Sequence, residues 1–318
     1  MRYYAAPLEG LTDYTFRCLH SRYFPGADRY YAPFFATTQN RVFSPKEFRD
    51  LLPENNEGVP LVPQLLGRNA EDFLWTARQL RALGYEEINL NLGCPSGTVT
   101  AKGKGAGQLR DTEALDRFLG EIFAGFDGRI SVKTRLGMED PAEFERLLAI
   151  YGRYPLCELI IHPRTAREMY RGPLHPDVFG AALGRCRAGV CYNGGITTAA
   201  LGREAEARWP SAAALMIGRG LMADPALIRK LKGGACADAE TLCAFFSEMY
   251  ESYCVRFGSA HNAMSRMKGL WFYAIHLFDD TQRYARRIAK ARYPSDYEAL
   301  MRTLFGDLPL RADARDVP

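Results

Sequence analysis

Short apolar runs alternate with segments of helical periodicity from the N-terminus to about residue 232. Runs of apolar and β-branched residues bounded by turn formers read as buried strands. On that pattern strands are expected at Arg2–Ala5, Arg29–Ala32, Val59–Leu65, Glu87–Asn91, Arg129–Thr134, Glu158–His162, Gly189–Asn193 and Ala213–Gly218. Apolar positions recur at helical spacing between most of them, as in Ala70–Leu83, Thr112–Ala124, Pro141–Tyr151 and Thr197–Arg208. Asp140-Pro141 and Thr197 read as helix starts, with a capping side chain or a proline in the first turn. Eight strands alternating with helices over ~230 residues predict an α/β protein of the (β/α)8 barrel type. An open doubly wound sheet would show the same alternation, but no Gly-x-Gly-x-x-Gly follows the first strand.

The alternation stops at Lys232-Gly233-Gly234-Ala235. Beyond it only helical patterns remain, over Asp238–Phe257, His261–Phe278, Asp280–Ala291 and Ser295–Phe305. The expected organisation is therefore a barrel over residues 1–232 and a small helical domain over 236–318.

Composition adds mainly exclusions. Hydrophobic residues make up 47% of the 318 positions, enough for a large core. No apolar stretch is long enough to span a bilayer, so no membrane partner is expected. Met1-Arg2-Tyr3-Tyr4-Ala5 reads as a strand and not as a signal peptide. The eight cysteines are then expected to stay reduced in the cytoplasm. They form no Cys-x-x-Cys pair and no His/Cys cluster at zinc spacing, so no structural metal is expected. The net charge of +4 is too small to name a partner, and nothing in the pattern calls for more than a monomer.

Chemistry concentrates at the expected strand ends. In a barrel of this type the active site lies at the C-terminal ends of the strands. Strand three ends at Gln64, strand four at Asn91 and Cys94, strand five at Lys133 and Arg135. Strand six ends at His162 and Arg164, strand seven at Asn193, and strand eight at Gly218-Arg219. Any one of these has an ordinary explanation, such as a solvated edge or a hydrogen-bonded core histidine. Six consecutive strands ending this way point to a lined site.

Within that set Cys94 stands out. Gly93 and Pro95 punctuate the chain on either side of it, so regular structure should stop there. The stretch Lys102-Gly103-Lys104-Gly105-Ala106-Gly107 follows, and its glycines suggest a mobile loop that folds over a bound group, with Lys102 and Lys104 facing it. A thiol in this setting is a proton donor or a nucleophile; a buried structural cysteine is the plain alternative.

Asn193-Gly194-Gly195-Ile196-Thr197 and Ile217-Gly218-Arg219-Gly220 place glycines before helix starts after strands seven and eight. Barrels often bind a phosphate there, on backbone N–H groups at a helix start, and Arg219 adds a charge-assisted contact. Lys133 and His162 suit a flavin, because an ammonium stabilises the negative charge that develops on the reduced ring. Gln64 and Asn91 can serve its polar edge.

The ordered motifs closely resemble the tRNA dihydrouridine synthases over nearly the full length. They are Ala6-Pro7-Leu8-Glu9-Gly10 with Thr12-Asp13, Gln64, Asn91-Leu92-Gly93-Cys94-Pro95-Ser96, Lys133-Thr134-Arg135, His162-Pro163-Arg164-Thr165, Asn193-Gly194-Gly195-Ile196 and Gly218-Arg219. The resemblance implies that Pro7, Leu8, Glu9, Gln64, Lys133, His162, Asn193, Gly194, Gly195, Gly218 and Arg219 hold FMN. It implies that a tRNA uridine is reduced to 5,6-dihydrouridine, with hydride from reduced FMN to C6, a proton from Cys94 to C5, and NADPH as electron donor. Asn91, Arg135 and Arg164 are the candidates for the uracil edge. Leu8 replaces the family's usual Met, and Gly195 stands where many members carry Asp or Glu.

A small-acid FMN barrel such as a dihydroorotate dehydrogenase shares the Asn-x-x-Cys-Pro strand end, and a barrel that binds RNA without catalysis is a further alternative. The C-terminal segment favours RNA. From Arg256 to Arg292 eight Lys or Arg face two Asp and interleave with Trp271, Tyr273 and Tyr284, the composition of a nucleic-acid surface. Arg266 and Lys268 resemble tRNA-contacting positions of the family. Two residues apart on a helix diverge by about 200°, so the two are not expected to share one contact.

Overall fold

The computed structural model describes residues 1–279 and 281–318, Lys46 by its backbone only. Ten parallel strands are present among the described residues. They are β1 (Arg2–Ala5), β2 (Arg29–Tyr31), β3 (Phe35–Ala36), β4 (Leu61–Val62), β5 (Gln64–Leu66), β6 (Glu87–Leu92), β7 (Arg129–Arg135), β8 (Glu158–His162), β9 (Gly189–Tyr192) and β10 (Ala214–Ile217).

Ten segments make eight staves. Proline has no N–H to give to a ladder, and Pro33 and Pro63 each interrupt one stave. β2 pairs with β4 and β3 with β5, so β2–β3 and β4–β5 are two continuous, prolyl-broken staves. Asn89 donates its N–H to the carbonyl of Pro63 at 2.9 Å, which carries the sheet across the second break. β10 pairs with β1, and the ring closes as a (β/α)8 barrel. The sequence pattern shows one strand at 59–65 where the backbone makes two, because Pro63 is invisible to a hydrophobicity count.

The barrel interior is filled by Tyr4, Ala6, Tyr31, Val62, Ile160, Cys191, Ala214 and Met216. At the N-terminal ends of the strands, the buried Glu158 accepts from Tyr4 at 2.9 Å and from Tyr31 at 3.2 Å. Arg29 pairs there with Glu87 at 3.0 Å. This end is plugged, so any ligand must sit at the opposite end.

Helix starts follow their capping chemistry. Asn69, Asp111 and Thr198 accept N–H bonds from Asp72, Ala114 and Leu201. The helix expected from Thr197 therefore begins at Ala199, with Thr198 as its cap. Pro141–Glu143 is a 3-10 turn leading into the helix Phe144–Tyr151.

Past the barrel the helices are Ala239–Phe257, Ala260–Ala274, Thr281–Lys290 and Pro294–Asp307. Asp280, the expected start of the third, lies outside the described residues. These helices pack on the barrel helix Tyr14–Tyr23, where Phe16 and Phe24 meet Phe245 edge-on at 6.2 and 5.2 Å.

Residues 309–318 return from the last helix to the barrel, a feature no periodicity announced. Arg311 and Arg315 donate their N–H groups to Leu277 and His276. Asp313 pairs with the buried Lys230, which also holds Asp224 at 2.7 Å. At the end of this strap Pro318 accepts from Arg219 at 2.6 Å.

Candidate active site

The C-terminal ends of the staves surround a cleft of ≈ 950 Å³, counting its open mouth. Cofactor pockets typically occupy about 300–1,000 Å³. Pro7, Leu8 and Glu9 line it from the end of β1, Gln64 from β5, and Asn91 and Cys94 from β6. Lys133 and Arg135 of β7, His162 of β8 and Asn193, Gly194 and Gly195 after β9 follow, and Gly218 and Arg219 after β10 complete the ring. Its charged lining is three cations and one carboxylate, a field that favours an anionic ligand.

Cys94 sits on a turn built by its neighbours. The Asn91 carboxamide oxygen accepts the N–H groups of Gly93 at 3.0 Å and of Cys94 at 2.9 Å. Its amide nitrogen donates to Gln64 Oε1 at 2.7 Å, Gln64 Nε2 donates to Asn89, and Asn89 donates to Ser131. A relay of amides thus runs across three strands and ends on the cysteine turn. Gln64 and Asn91, expected at a ring's polar edge or on uracil, have most of their bonding capacity committed to this relay. Asn89 and Ser131 were not singled out in the sequence, although polar groups inside a buried strand are a signal.

Burial pushes the Cys94 thiol up, with Ser96, Arg135 and Lys133 only partly offsetting it. An ordinary thiol already holds its proton at neutral pH, and this one holds it more firmly. Lys133 is pushed down to about 8, first by burial and then by Arg135. No carboxylate pairs with it among the described residues. His162 is driven well below its usual range by burial, then by Arg135, Lys133, Arg164 and Arg219. It is therefore neutral. Arg164 Nη1 lies 3.3 Å from His162 Nε2 and can only donate, so Nδ1 carries the proton.

Several expected positions fall elsewhere. Arg164 is outside the cleft lining: it donates to Gly172 at 2.7 Å and backs His162. Arg135 reaches the cleft but binds the carbonyls of Gly93, Thr165 and Met169 at 2.9, 2.8 and 2.7 Å. It braces the cysteine turn. The segment 96–107 is exposed at 97, 98, 101 and 102 but packed at its end, where 105–107 are buried. A side chain at Gly105 would meet the Cys94 carbonyl at 2.9 Å, and one at Gly107 the Thr100 carbonyl at 2.7 Å. These glycines serve close backbone approach. Lys104 donates to Thr37 at 2.9 Å, and neither it nor the exposed Lys102 lines the cleft.

Gly195 has φ +66°, and a Cβ there would meet Leu174 at 2.7 Å. Leu174 occupies the space that an acidic side chain would need. The N–H groups of Gly195 and Ile196 find no backbone acceptor among the described residues, and Arg219 stands across from them in the same cleft. Together with the unpaired Lys133, these donors fit a cofactor that carries both a phosphate and a delocalised anion.

A second groove, lined by Gly10, Arg49, Arg256, Asn262, Ser265 and Arg266 among others, opens beside the cleft. Asp13 forms the joint between barrel and helices. It caps the helix Tyr14–Tyr23, accepts from Tyr253 at 2.8 Å, and pairs with Arg256 at 2.9 Å and with Arg266 at 3.9 Å. Lys268 departs from the expected phosphate contact. Its ammonium donates to the carbonyls of Ala289 and Ala291 and so caps the end of the helix Thr281–Lys290.

The dihydrouridine synthase family model matches residues 4–301. A tRNA-dihydrouridine(16) synthase of Cupriavidus necator is 31% identical over 250 residues, 75% of this chain and 77% of that one. A probable tRNA-dihydrouridine synthase of Rhodobacter capsulatus is 27% identical, covering 85% of each chain. Among solved structures, morphinone reductase aligns with a TM-score of 0.53 at 13% identity, over 75% of this chain and 87% of that one. The old yellow enzyme homologue of Zymomonas mobilis gives 0.54, also at 13% identity, over 76% and 91%. Identities this low speak for the barrel alone.

Proposed function

The chain belongs to the dihydrouridine synthase family, and from that premise we propose that it holds FMN in the barrel-top cleft and reduces a uridine of tRNA to 5,6-dihydrouridine, with NADPH as electron donor and the cytoplasm as its compartment. The relative from Cupriavidus necator carries position 16 in its name, and uridine 16 is the target we assign. One observation carries the reading: a proton-holding thiol shares one cleft with a lysine and with backbone N–H groups that find no carboxylate and no backbone acceptor, respectively, among the described residues.

When bound, FMN would supply hydride to C6 of the uracil ring. Lys133 would face the flavin's pyrimidine edge, where its charge stabilises electron density, and Arg219 with the Gly195–Ile196 N–H groups would hold the phosphate. His162 would offer its Nδ1–H to the ring. Cys94 would give its proton to C5, leaving a thiolate that regains a proton from solvent. Residues 1–232 would carry this chemistry and 236–318 would hold the RNA.

The test is a map of dihydrouridine in tRNA from a strain that lacks the gene, with release of flavin from purified protein. Loss of the modification at position 16 and release of FMN are expected. An unchanged map, or release of FAD, would overturn the reading, and turnover of a small acid instead would favour the dehydrogenase alternative.

Arg266 and Lys268 separate under the same reading. Arg266→Ala is expected to lower the log–log salt slope of tRNA binding by ~0.7–0.9 for the phosphate contact it loses. Lys268→Ala is expected to cost about 0.3–1 kcal/mol of stability, the worth of a cation at a helix C-terminus, with the slope unchanged. Salt titrations and thermal melts of both variants check this, and equal slopes would refute the division of roles.

A further inference from the structure

Two turns build one end of the cleft, and they lie hard against each other. A Cβ at Gly220 would run into the Ile196 carbonyl and stand 2.8 Å from Thr197 Cα. The turn 193–197 after β9 and the turn 218–220 after β10 therefore form one unit. The short helix Arg219–Ala223 starts from the second turn and carries the arginine of this end. An arginine fork grips a phosphate with two parallel bonds when its plane is held toward the anion. Its long side chain has many rotamers to lose unless something else holds it. Tyr170 lies under this guanidinium at 5.4 Å, and a second restraint comes from outside the barrel.

The returning strap reaches both turns. Pro318 accepts from Arg219 Nη1 at 2.6 Å. A carbonyl takes one of the five guanidinium N–H groups and leaves the charge in place. Asp313 Oδ1 accepts the Ala199 N–H at 3.3 Å, in the first turn of the helix that follows 193–197. The same carboxylate pairs with Lys230 at 2.5 Å, and Lys230 holds Asp224 at 2.7 Å. Asp224 closes the helix Arg219–Ala223 by donating its N–H to Gly220 at 2.8 Å. The helix that carries Arg219 is thus held at its start by Pro318 and at its end, through Lys230, by Asp313. The root of the strap lies beside the end of the helix Ala260–Ala274. There Arg311 donates its N–H to Leu277 at 2.8 Å, and His276 Nδ1 stands 2.9 Å from the Arg315 carbonyl.

We propose that residues 309–318 belong to the cofactor site, with Asp313 as the positioning residue that anchors the strap so that Pro318 sets the Arg219 guanidinium on the cofactor's phosphate. This rests on the reading of the cleft as an FMN site. Asp313 acts through Lys230 and the strap and does not touch the cofactor itself. Lys133 and Cys94 stand across the barrel, on β7 and after β6, so the flavin ring's contacts are expected to be untouched. The helical half of the chain then contributes to flavin affinity, and its contribution is confined to ligands that carry a phosphate.

The test compares FMN with riboflavin, which has the same ring and no phosphate, on the flavin-stripped full chain. The ratio of the two dissociation constants measures what the phosphate contributes. Wild type is expected to prefer FMN by about 10- to 150-fold or more, the worth of one hydrogen bond to a charged group. Asp313 is 37% exposed, and Lys230 keeps Asp224 when it is lost, so Asp313→Ala removes the anchor without stranding a buried charge. This variant should cut the preference about three- to tenfold, a part of one such bond. Its affinity for riboflavin should stay within about twofold of wild type, the scatter of independent sites. Arg219→Met should cut the preference further, and adding Asp313→Ala to it should change the ratio by less than about twofold. An unchanged preference in Asp313→Ala would overturn the proposal. So would equal weakening of both flavins, which marks a structural role, or the same cut with and without Arg219. Wild type binding the two flavins alike would instead overturn the reading of the phosphate site, and with it this proposal.

Discussion

Replacing Cys94 by alanine is expected to lower the rate of dihydrouridine formation ~10²–10⁴-fold, the usual worth of a general acid, with FMN and tRNA still bound. The expectation follows from how the turn is made. Its bonds run through the backbone: Asn91 Oδ1 takes the N–H of residues 93 and 94, and Ala106 N–H donates to the carbonyl of residue 94 at 3.0 Å. The sulfur itself takes a backbone hydrogen bond from Ser96, but none of these bonds uses it, so alanine keeps the turn and loses the proton. Burial pushes this thiol up, which suits a donor and not a thiolate nucleophile. The activity of the wild type should accordingly persist to higher pH than an ordinary thiol would allow. Single-turnover reduction of tRNA uridine by the variant is the measurement. A normal rate would make Cys94 structural and would require another proton source.

Replacing Lys133 by methionine is expected to weaken FMN about 10- to 150-fold, the range for a hydrogen bond to a charged group. The larger consequence is for pH dependence. In the cofactor-free protein the lysine titrates at about 8 against an ordinary 10.5. The folded state then binds fewer protons than the unfolded state between those values, so this group makes stability rise with pH across that window. Cofactor affinity runs the other way: an anion beside Lys133 prefers it charged, so binding should weaken as pH climbs through about 8. The methionine variant should lose both trends. Flavin titrations from pH 7 to 9 and thermal melts of the cofactor-free protein measure them. A wild-type affinity that is flat across pH 8 would show that Lys133 does not face the anion.

Much of this site was legible because a barrel sorts its residues by height along each strand. A strand that runs Ile130-Ser131-Val132 and ends in Lys133-Thr134-Arg135 puts its charged groups at the height where lining begins. What remained hidden depends on contacts between strands. The Gln64–Asn91 relay is made by residues far apart in sequence, so both were expected on a ligand when they chiefly serve the cysteine turn. Glycines 105 and 107 were misread because freedom and close approach leave the same letter in the sequence. Helical spacing sets Arg266 and Lys268 on different faces, and only the packed helix end at Ala289 and Ala291 shows what the second touches.

The returning strap changes what kind of motion the molecule can use. The helices are joined to the barrel through residues 233–238 and fastened again by Asp313 on Lys230 and by Asp13 on Arg256. A body attached at one point can swing shut on its ligand; a body attached at three cannot without breaking a buried ion pair. Jaw closure in this architecture would have to break those ion pairs. Under the proposed reaction the deformation that brings a stacked uridine to Cys94 then falls chiefly on the nucleic acid, and a tRNA whose loop opens easily should be modified faster than a more rigid one of the same sequence.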